Sequence, residues 1–344
     1  MIRFGQGVRL SAPIFHDPMI TVYTHDATGF TARSLMPGED LPLHALWIDM
    51  RAPTDAEFSL VQNQLGVEIP SKNEIWRNHI LNRLYIENDV AYMNAALITK
   101  VDSPYPGTSP VTFILSSKFL LTIHDIDPTS FRNFAKRLQK PHGAIPTSGF
   151  MFEGLLEEII MRVAYNSEVV VDALDELSHG IFGSEANDQT KGRQSTTLMT
   201  GILKRLGSVA DLNSKINESL HSLSRMLIFF RDMVSEDTAL DKNVEILLTD
   251  TAALTTQTSF LSDKLTFQLD ATLGMINVEQ NLIIKIFSVV AVFFMPPTLV
   301  TSMYGMNFEH MPELKWFFGY PMALAFMLFC AVVPYLYFRR RGWL

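Results

Sequence analysis

The chain has one cysteine in 344 residues. A single thiol excludes a disulfide framework and a thiolate metal cluster, and Cys330 sits inside an apolar run. No two histidines stand four apart, so the helical zinc-hydrolase pattern is absent. There is no G-x-S-x-G nucleophile elbow and no G-x-x-x-x-G-K-[ST] phosphate loop. These absences leave an enzyme reading without a catalytic pattern and imply no organic cofactor. Residues 1–19 contain no apolar core of signal-peptide length. Charge is missing from two further places. Residues 286–308 and residues 316–338 are 23-residue runs without a single Asp, Glu, Lys or Arg.

A bilayer core about 30 Å thick is crossed by roughly 20 apolar helical residues. Two such runs joined by residues 309–315 read as a transmembrane helical hairpin. After Lys285 there are four basic residues (Lys315, Arg339, Arg340, Arg341) and two acidic ones (Glu309, Glu313). Of the whole chain's 28 basic and 36 acidic residues, 24 and 34 therefore lie in the first 285, which carry −10. An acidic region of that size argues against nucleic acid as a partner and suits the handling of cations. Lys285 precedes the first span and Arg339–Arg341 follow the second, around an acidic loop. Positive-inside reasoning puts both ends in the cytoplasm and the loop outside, with Arg339–Arg341 a headgroup anchor or a basic collar at the inner mouth.

The part before the spans divides in two. Up to about residue 150 the pattern is α/β. Strands are expected at 19–25 and 45–50, with hairpins over 83–99 around Glu87-Asn88-Asp89 and over 111–124 around Ser116-Ser117. Thr54 and Glu57 have capping-box spacing ahead of a helix reaching Leu65, and 128–139 reads as another helix. A turn-rich stretch at 141–149 closes the domain. Beyond it the spacing is helical over 151–182, over 195–234 after a polar break at 183–192, and from about 237 to 303. At 1.5 Å per residue the last segment is about 100 Å long, of which on the order of 70 Å would project as a cytoplasmic stalk. Helices of that length need partners, so oligomerisation is expected.

Along this helix Asp270, Gly274, Asn277, Asn281, Ile284, Ser288, Ala291, Met295, Thr298 and Ser302 repeat at intervals of four and three, a heptad seam. The seam is mostly polar or small, whereas Val289, Val290, Phe293, Phe294, Leu299 and Val300 occupy the other faces. It fits the lining of a water-filled path or a close-packed dry helix interface. Asp270, Asn277 and Asn281, poor core residues for a coiled coil, favour the path.

The first span ends Tyr304-Gly305-Met306-Asn307. Its loop continues through Glu309, Met311-Pro312 and Glu313-Leu314. An amide oxygen at Asn307 could accept hydrogen bonds from the water shell of Mg²⁺, which is surrendered reluctantly. Glu309 and Glu313 would raise the local cation concentration. A plain Gly-Asn turn between helices explains the same residues.

Tyr304-Gly305-Met306-Asn307 followed by Met311-Pro312-Glu313-Leu314 resembles the signature of the CorA family of divalent-cation channels. The likeness continues through the second span to Tyr335-Leu336-Tyr337-Phe338-Arg339-Arg340-Arg341-Gly342-Trp343-Leu344. In the first 150 residues it is one of architecture alone. The resemblance implies an α+β membrane protein with an N-terminal α/β cytoplasmic domain (1–150) and a helical and stalk region (151–285). A pore-lining span (286–303), the external loop (304–315), a second span (316–338) and a basic tail (339–344) would follow. Five copies would form a funnel-shaped homopentamer in the bacterial inner membrane.

The resemblance further implies a selectivity mouth of Gly305, Met306 and Asn307 for hydrated Mg²⁺, with Co²⁺ and Ni²⁺ also accepted. It implies a constriction at Met295, with Ile284 and Phe287 further in; Phe287 stands one residue off the seam. Asp270 matches a stalk carboxylate at which intracellular Mg²⁺ bridges subunits and holds the channel closed. Glu74 is the expected second carboxylate. Five copies at −10 each would put about −50 around one axis, so losing the bridging ion would let the stalks splay.

Two other readings remain. A zinc-type transporter of the same superfamily would usually carry another residue in place of Met306. A membrane-anchored scaffold with a protein-binding cytoplasmic domain would move no ions. Two weaker features are expected to be bland: His124-Asp125-Ile126-Asp127 as a solvated turn rather than a metal-ligand pair, and Asp172, Asp175 and Glu176 as a solvated acidic face.

Overall fold

A computed structural model describes residues 19–26, 29–36, 38–70, 84–101, 103, 105–139, 147–182, 192–306 and 316–342. The expectations for residues 1–18, for most of the turn-rich stretch (141–146) and for the polar break over 183–191 lie outside these. The chain forms two compact units, 1–184 with 202–268, and 185–201 with 269–344.

In the first unit the described strands are β1 (Met19–Asp26), β2 (Gly29–Leu35), β3 (Ala45–Arg51), β4 (Tyr85–Glu87), β5 (Val90–Thr99), β6 (Gly107–Leu115) and β7 (Leu120–His124). They make one sheet in the order β2-β1-β3-β7-β6-β5-β4. Every pairing is antiparallel except β3 with β7. The expected hairpins are present. Asn88 and Asp89, at φ 50 and 59°, supply the two positive dihedrals that a tight two-residue turn requires.

Two strands depart from expectation. β2 was not anticipated, because its middle residues are exposed and it shows no apolar alternation; pairing with β1 makes it a strand. β6 begins at Gly107 rather than after Pro110. The β6–β7 pairing starts at Val111, so Pro110 is bonded to β5 alone and its missing N–H costs the ladder nothing.

Strand alternation gives the sheet two apolar faces. One carries Ile48, Met50, Ile114, Leu121 and Ile123 and packs with Val61 of α1 (Asp55–Leu65). That helix starts with the expected capping box, Thr54 with Glu57, and stops at Gly66 in the left-handed conformation, φ 66°. The other face carries Trp47 and Phe113. Trp47 stacks on Tyr23 and meets Phe131 and Phe134 of α2 (Thr129–Leu138), while Phe113 meets Phe152 of α3 (Ser148–Phe182). Among the described residues the outer edge of β5 beyond Tyr92 has no strand partner. Ser222 of α4 (Gly192–Val234) accepts from the Ala96 N–H and Ser219 donates to the Ala96 carbonyl, so helix side chains cover that edge.

The histidine motif is corrected here. His124 is buried, 3% exposed, because the parallel β3–β7 pairing sets it beside Asp49. Its Nε2 donates to Asp49 Oδ1 at 2.8 Å and its Nδ1 to the Ile126 carbonyl. Both nitrogens are used, so it is neither a solvated turn residue nor a free metal ligand. Asp49 also accepts from the Thr122 hydroxyl, which in turn accepts from the Trp47 indole N–H at 3.0 Å. Burial alone would push the imidazole pKa down; the Asp49 charge and the two acceptors outweigh it and hold it above the ordinary histidine value.

The acidic face on α3 is also more than solvated. Asp175 pairs with Lys264 at 2.6 Å and Glu176 with Arg205, which tie α3 to α5 (Thr238–Tyr304) and to α4. Hydrogen bonds and charge from Lys264 and Arg205 hold both carboxyls below their usual range.

Candidate functional site

The second unit contains the outer part of α5 and the helix α6 (Gly319–Arg340). Both helices are long and apolar enough to cross a membrane. Val289 and Val300 of α5 are buried, and the Phe293 ring meets the Tyr335 ring of α6 at 6.2 Å. On α6 the half-buried residues Ala323, Met327, Cys330, Pro334 and Phe338 recur at intervals of three and four, one stripe of that helix.

The heptad seam lies on a different side. At 100° per residue, Ile284, Ser288, Ala291, Met295, Thr298 and Ser302 share a face roughly opposite Val289, Phe293 and Val300. All ten seam residues from Asp270 to Ser302 are exposed. A polar and small face is thus left open by the second span. Met295 at 69% and Ile284 at 61% exposure are the bulky apolar side chains on it. Phe287, also exposed, stands about 60° from Ile284 and 40° from Ala291, on the flank of the face.

Hydroxyl chemistry sharpens what this face can do. Ser288 donates to the Ile284 carbonyl at 2.8 Å, and Thr298 to the Phe294 carbonyl at 2.6 Å. With each proton spent on its own helix, the outward atoms are acceptor lone pairs. At these two positions the surface accepts from the water shell of a cation. Pro296 and Pro297 lie inside α5. They remove the donors that would satisfy the Val292 and Phe293 carbonyls, which weakens the helix at mid-span.

α5 ends at Tyr304, where Gly305 N–H bonds the Thr301 carbonyl at 2.9 Å and Met306 N–H the Met303 carbonyl at 3.3 Å. A Cβ at Gly305 would stand 3.2 Å from the Thr301 oxygen, so the tight helix end favours glycine. Gly305 and Met306 therefore sit directly above the seam. Asn307, Glu309, Glu313 and Glu74 lie outside the described residues. Among the described residues no group of three or more His, Cys, Asp or Glu could hold a metal ion. The spacing of apolar runs signals both spans, but nothing in it signals the hydroxyl back-bonding, which depends on helix geometry.

A family model described as CorA-like Mg²⁺ transporter protein matches residues 43–340. The magnesium transport protein CorA of Escherichia coli strain K12 is 33% identical over 307 residues, 89% of this chain and 94% of that protein. The protein of the same name from Haemophilus ducreyi is 32% identical over 300 residues, 87% of this chain and 92% of that one. The complete structure of the CorA magnesium transporter from Methanocaldococcus jannaschii superposes with a TM-score of 0.73 at 21% identity, covering 96% of this chain and all of that one. The α/β domain, the long helix and the two apolar C-terminal helices are common to that fold.

Proposed function

The chain belongs to the CorA family of magnesium transporters, and on that premise we propose that five copies form a passive, potential-driven Mg²⁺ channel in the bacterial inner membrane. The observation that carries this reading is the seam: a face of α5, open, small and acceptor-lined, that leads up to Gly305 and Met306. In a ring of copies this face surrounds an axis and each second span stands outside it. Asn277, Asn281, Ser288, Ala291, Thr298 and Ser302 line the path. Gly305, Met306 and Asn307 form the outer filter, which holds Mg²⁺ with its waters and also admits Co²⁺ and Ni²⁺. Glu309 and Glu313 enrich cations at the mouth.

Met295 and Ile284, with Phe287 on the flank, form apolar rings that close the path by dewetting. Both termini are cytoplasmic. The zinc-type reading is not favoured, since the relatives at 32–33% identity are named magnesium transport proteins and position 306 of this chain is Met.

A divalent ion crossing 100 mV gains about 4.6 kcal/mol, roughly three powers of ten in concentration ratio, which drives uptake without nucleotide hydrolysis. Proteoliposomes holding the purified protein and a Mg²⁺ dye test this. Entry is expected to rise with inside-negative potential and to need no ATP. Entry indifferent to potential would refute the passive channel.

Gating rests on Asp270, exposed on the seam, bridging through intracellular Mg²⁺ to Glu74 of a neighbouring copy. The ion binds one state better and so favours closure. With millimolar Mg²⁺ inside the vesicles, wild-type entry should fall by at least about fivefold, a typical coupling between sites, while Asp270→Ala keeps its entry. Equal inhibition of both proteins would remove Asp270 from the sensor.

A further inference from the structure

The first unit holds a cavity of about 380 Å³ between the end of β5, the segment entering α2 and the middle of α3, within the usual size of small-molecule sites. Leu97, Ile126, Ile159 and Val163 give it apolar walls.

Its polar groups include donors and cations at one end and a buried acceptor, Asn166. Thr129 and Ser130, the first residues of α2, line it, and the N-cap is Pro128, which makes no side-chain cap bond. The Phe131 and Arg132 N–H groups bond the Pro128 carbonyl, which leaves those of Thr129 and Ser130, in the cavity wall at the positive end of the dipole of a ten-residue helix. Lys100 and Arg162 also line it, and among the described residues neither forms an ion pair; Arg162 lies over the Tyr165 ring. Asp127, in the same wall, is already committed to Arg132 and Arg51. Asn166 is 2% exposed, stands in the cavity wall, and its buried Oδ1 accepts no hydrogen bond. A buried amide oxygen without a donor is costly unless a ligand supplies one.

We propose that this cavity binds a small organic phosphate of the nucleoside monophosphate class. The dianion sits on the α2 N-terminus between Lys100 and Arg162, the ring lies against the apolar walls, and an N–H of the base (the exocyclic amine in AMP) donates to Asn166. Nothing in ion conduction along α5 requires such a site, so it stands independently of the channel.

Calorimetric titration of the full-length, detergent-purified protein with AMP, adenosine and inorganic phosphate tests it. AMP should bind saturably, with adenosine and phosphate each at least tenfold weaker. Arg162→Gln and Lys100→Gly should each weaken AMP at least fivefold. Lys100 has φ 55°, a conformation glycine adopts freely, so Lys100→Gly removes the charge without a folding penalty, checked by an unchanged melting temperature. Inorganic phosphate binding as tightly as AMP would overturn the ring contact. AMP binding untouched by both substitutions, or no heat with AMP, GMP, CMP or UMP, would overturn the site.

Discussion

Asn307→Ala is expected to cut potential-driven Mg²⁺ entry about a hundredfold, to near the leak of protein-free vesicles. Hydrated Mg²⁺ keeps its six waters because its shell is lost reluctantly, so the mouth has to recognise water protons polarised by a double charge. An amide oxygen is suited to that: it accepts, carries no charge, and does not trap the ion as a carboxylate would. A hydrogen bond to a charged group contributes about 1.5–3 kcal/mol, and one substitution removes the oxygen from every copy in the ring at once. A net loss of only about 2.7 kcal/mol would account for the hundredfold drop. Glu309→Gln is the comparison. On the proposed reading it removes a charge that concentrates cations without touching them, so entry should fall only severalfold and the difference should vanish at high ionic strength. Unchanged entry in Asn307→Ala would exclude this residue from the filter.

Asp49→Ala should destabilise the protein by about 3–5 kcal/mol, the usual cost of stranding one member of a buried ion pair. His124 is left with the Ile126 carbonyl alone, in a site lined by Phe131 and lacking its counter-charge. The Thr122 hydroxyl loses its Asp49 acceptor in the same step and keeps only the long bond to the Ile48 carbonyl at 3.5 Å. The pH dependence separates this from simple loss of packing. The folded pKa of His124 is raised, so its contribution is complete below the unfolded value of about 6.5 and is lost as pH rises through the folded value. The His124 contribution is therefore expected to raise the wild-type melting temperature more at pH 6 than at pH 9. Without Asp49 the two largest upward influences are gone and only the Ile126 carbonyl and the Asp127 charge oppose burial, so this stabilisation at low pH should shrink or reverse. Thermal melts of both proteins across that range are the measurement. Parallel profiles would show that the pair carries no charge.

The features legible from the amino acids were those whose physics is local. Two charge-free runs of 23 residues and the heptad seam needed only the rise and period of a helix. Thr54, Glu57 and the Asn88-Asp89 turn act within three or four residues, and the structure places each as expected. The end of the first span at Tyr304-Gly305 was readable because the glycine directly follows the apolar run.

What stayed hidden depended on segments far apart in the chain meeting one another. β2 exists because β1 offers it a ladder, since its own side chains bury too little to announce a strand. His124 reads as a turn residue until β7 aligns parallel to β3 and brings Asp49 to it across 75 residues. The cavity needs the end of β5, the start of α2 and the middle of α3. Burial turns a polar side chain from solvated to paired, and burial is a property of three-dimensional neighbours. A helical period or a turn dihedral is carried by consecutive residues, so it can be read before the chain is folded.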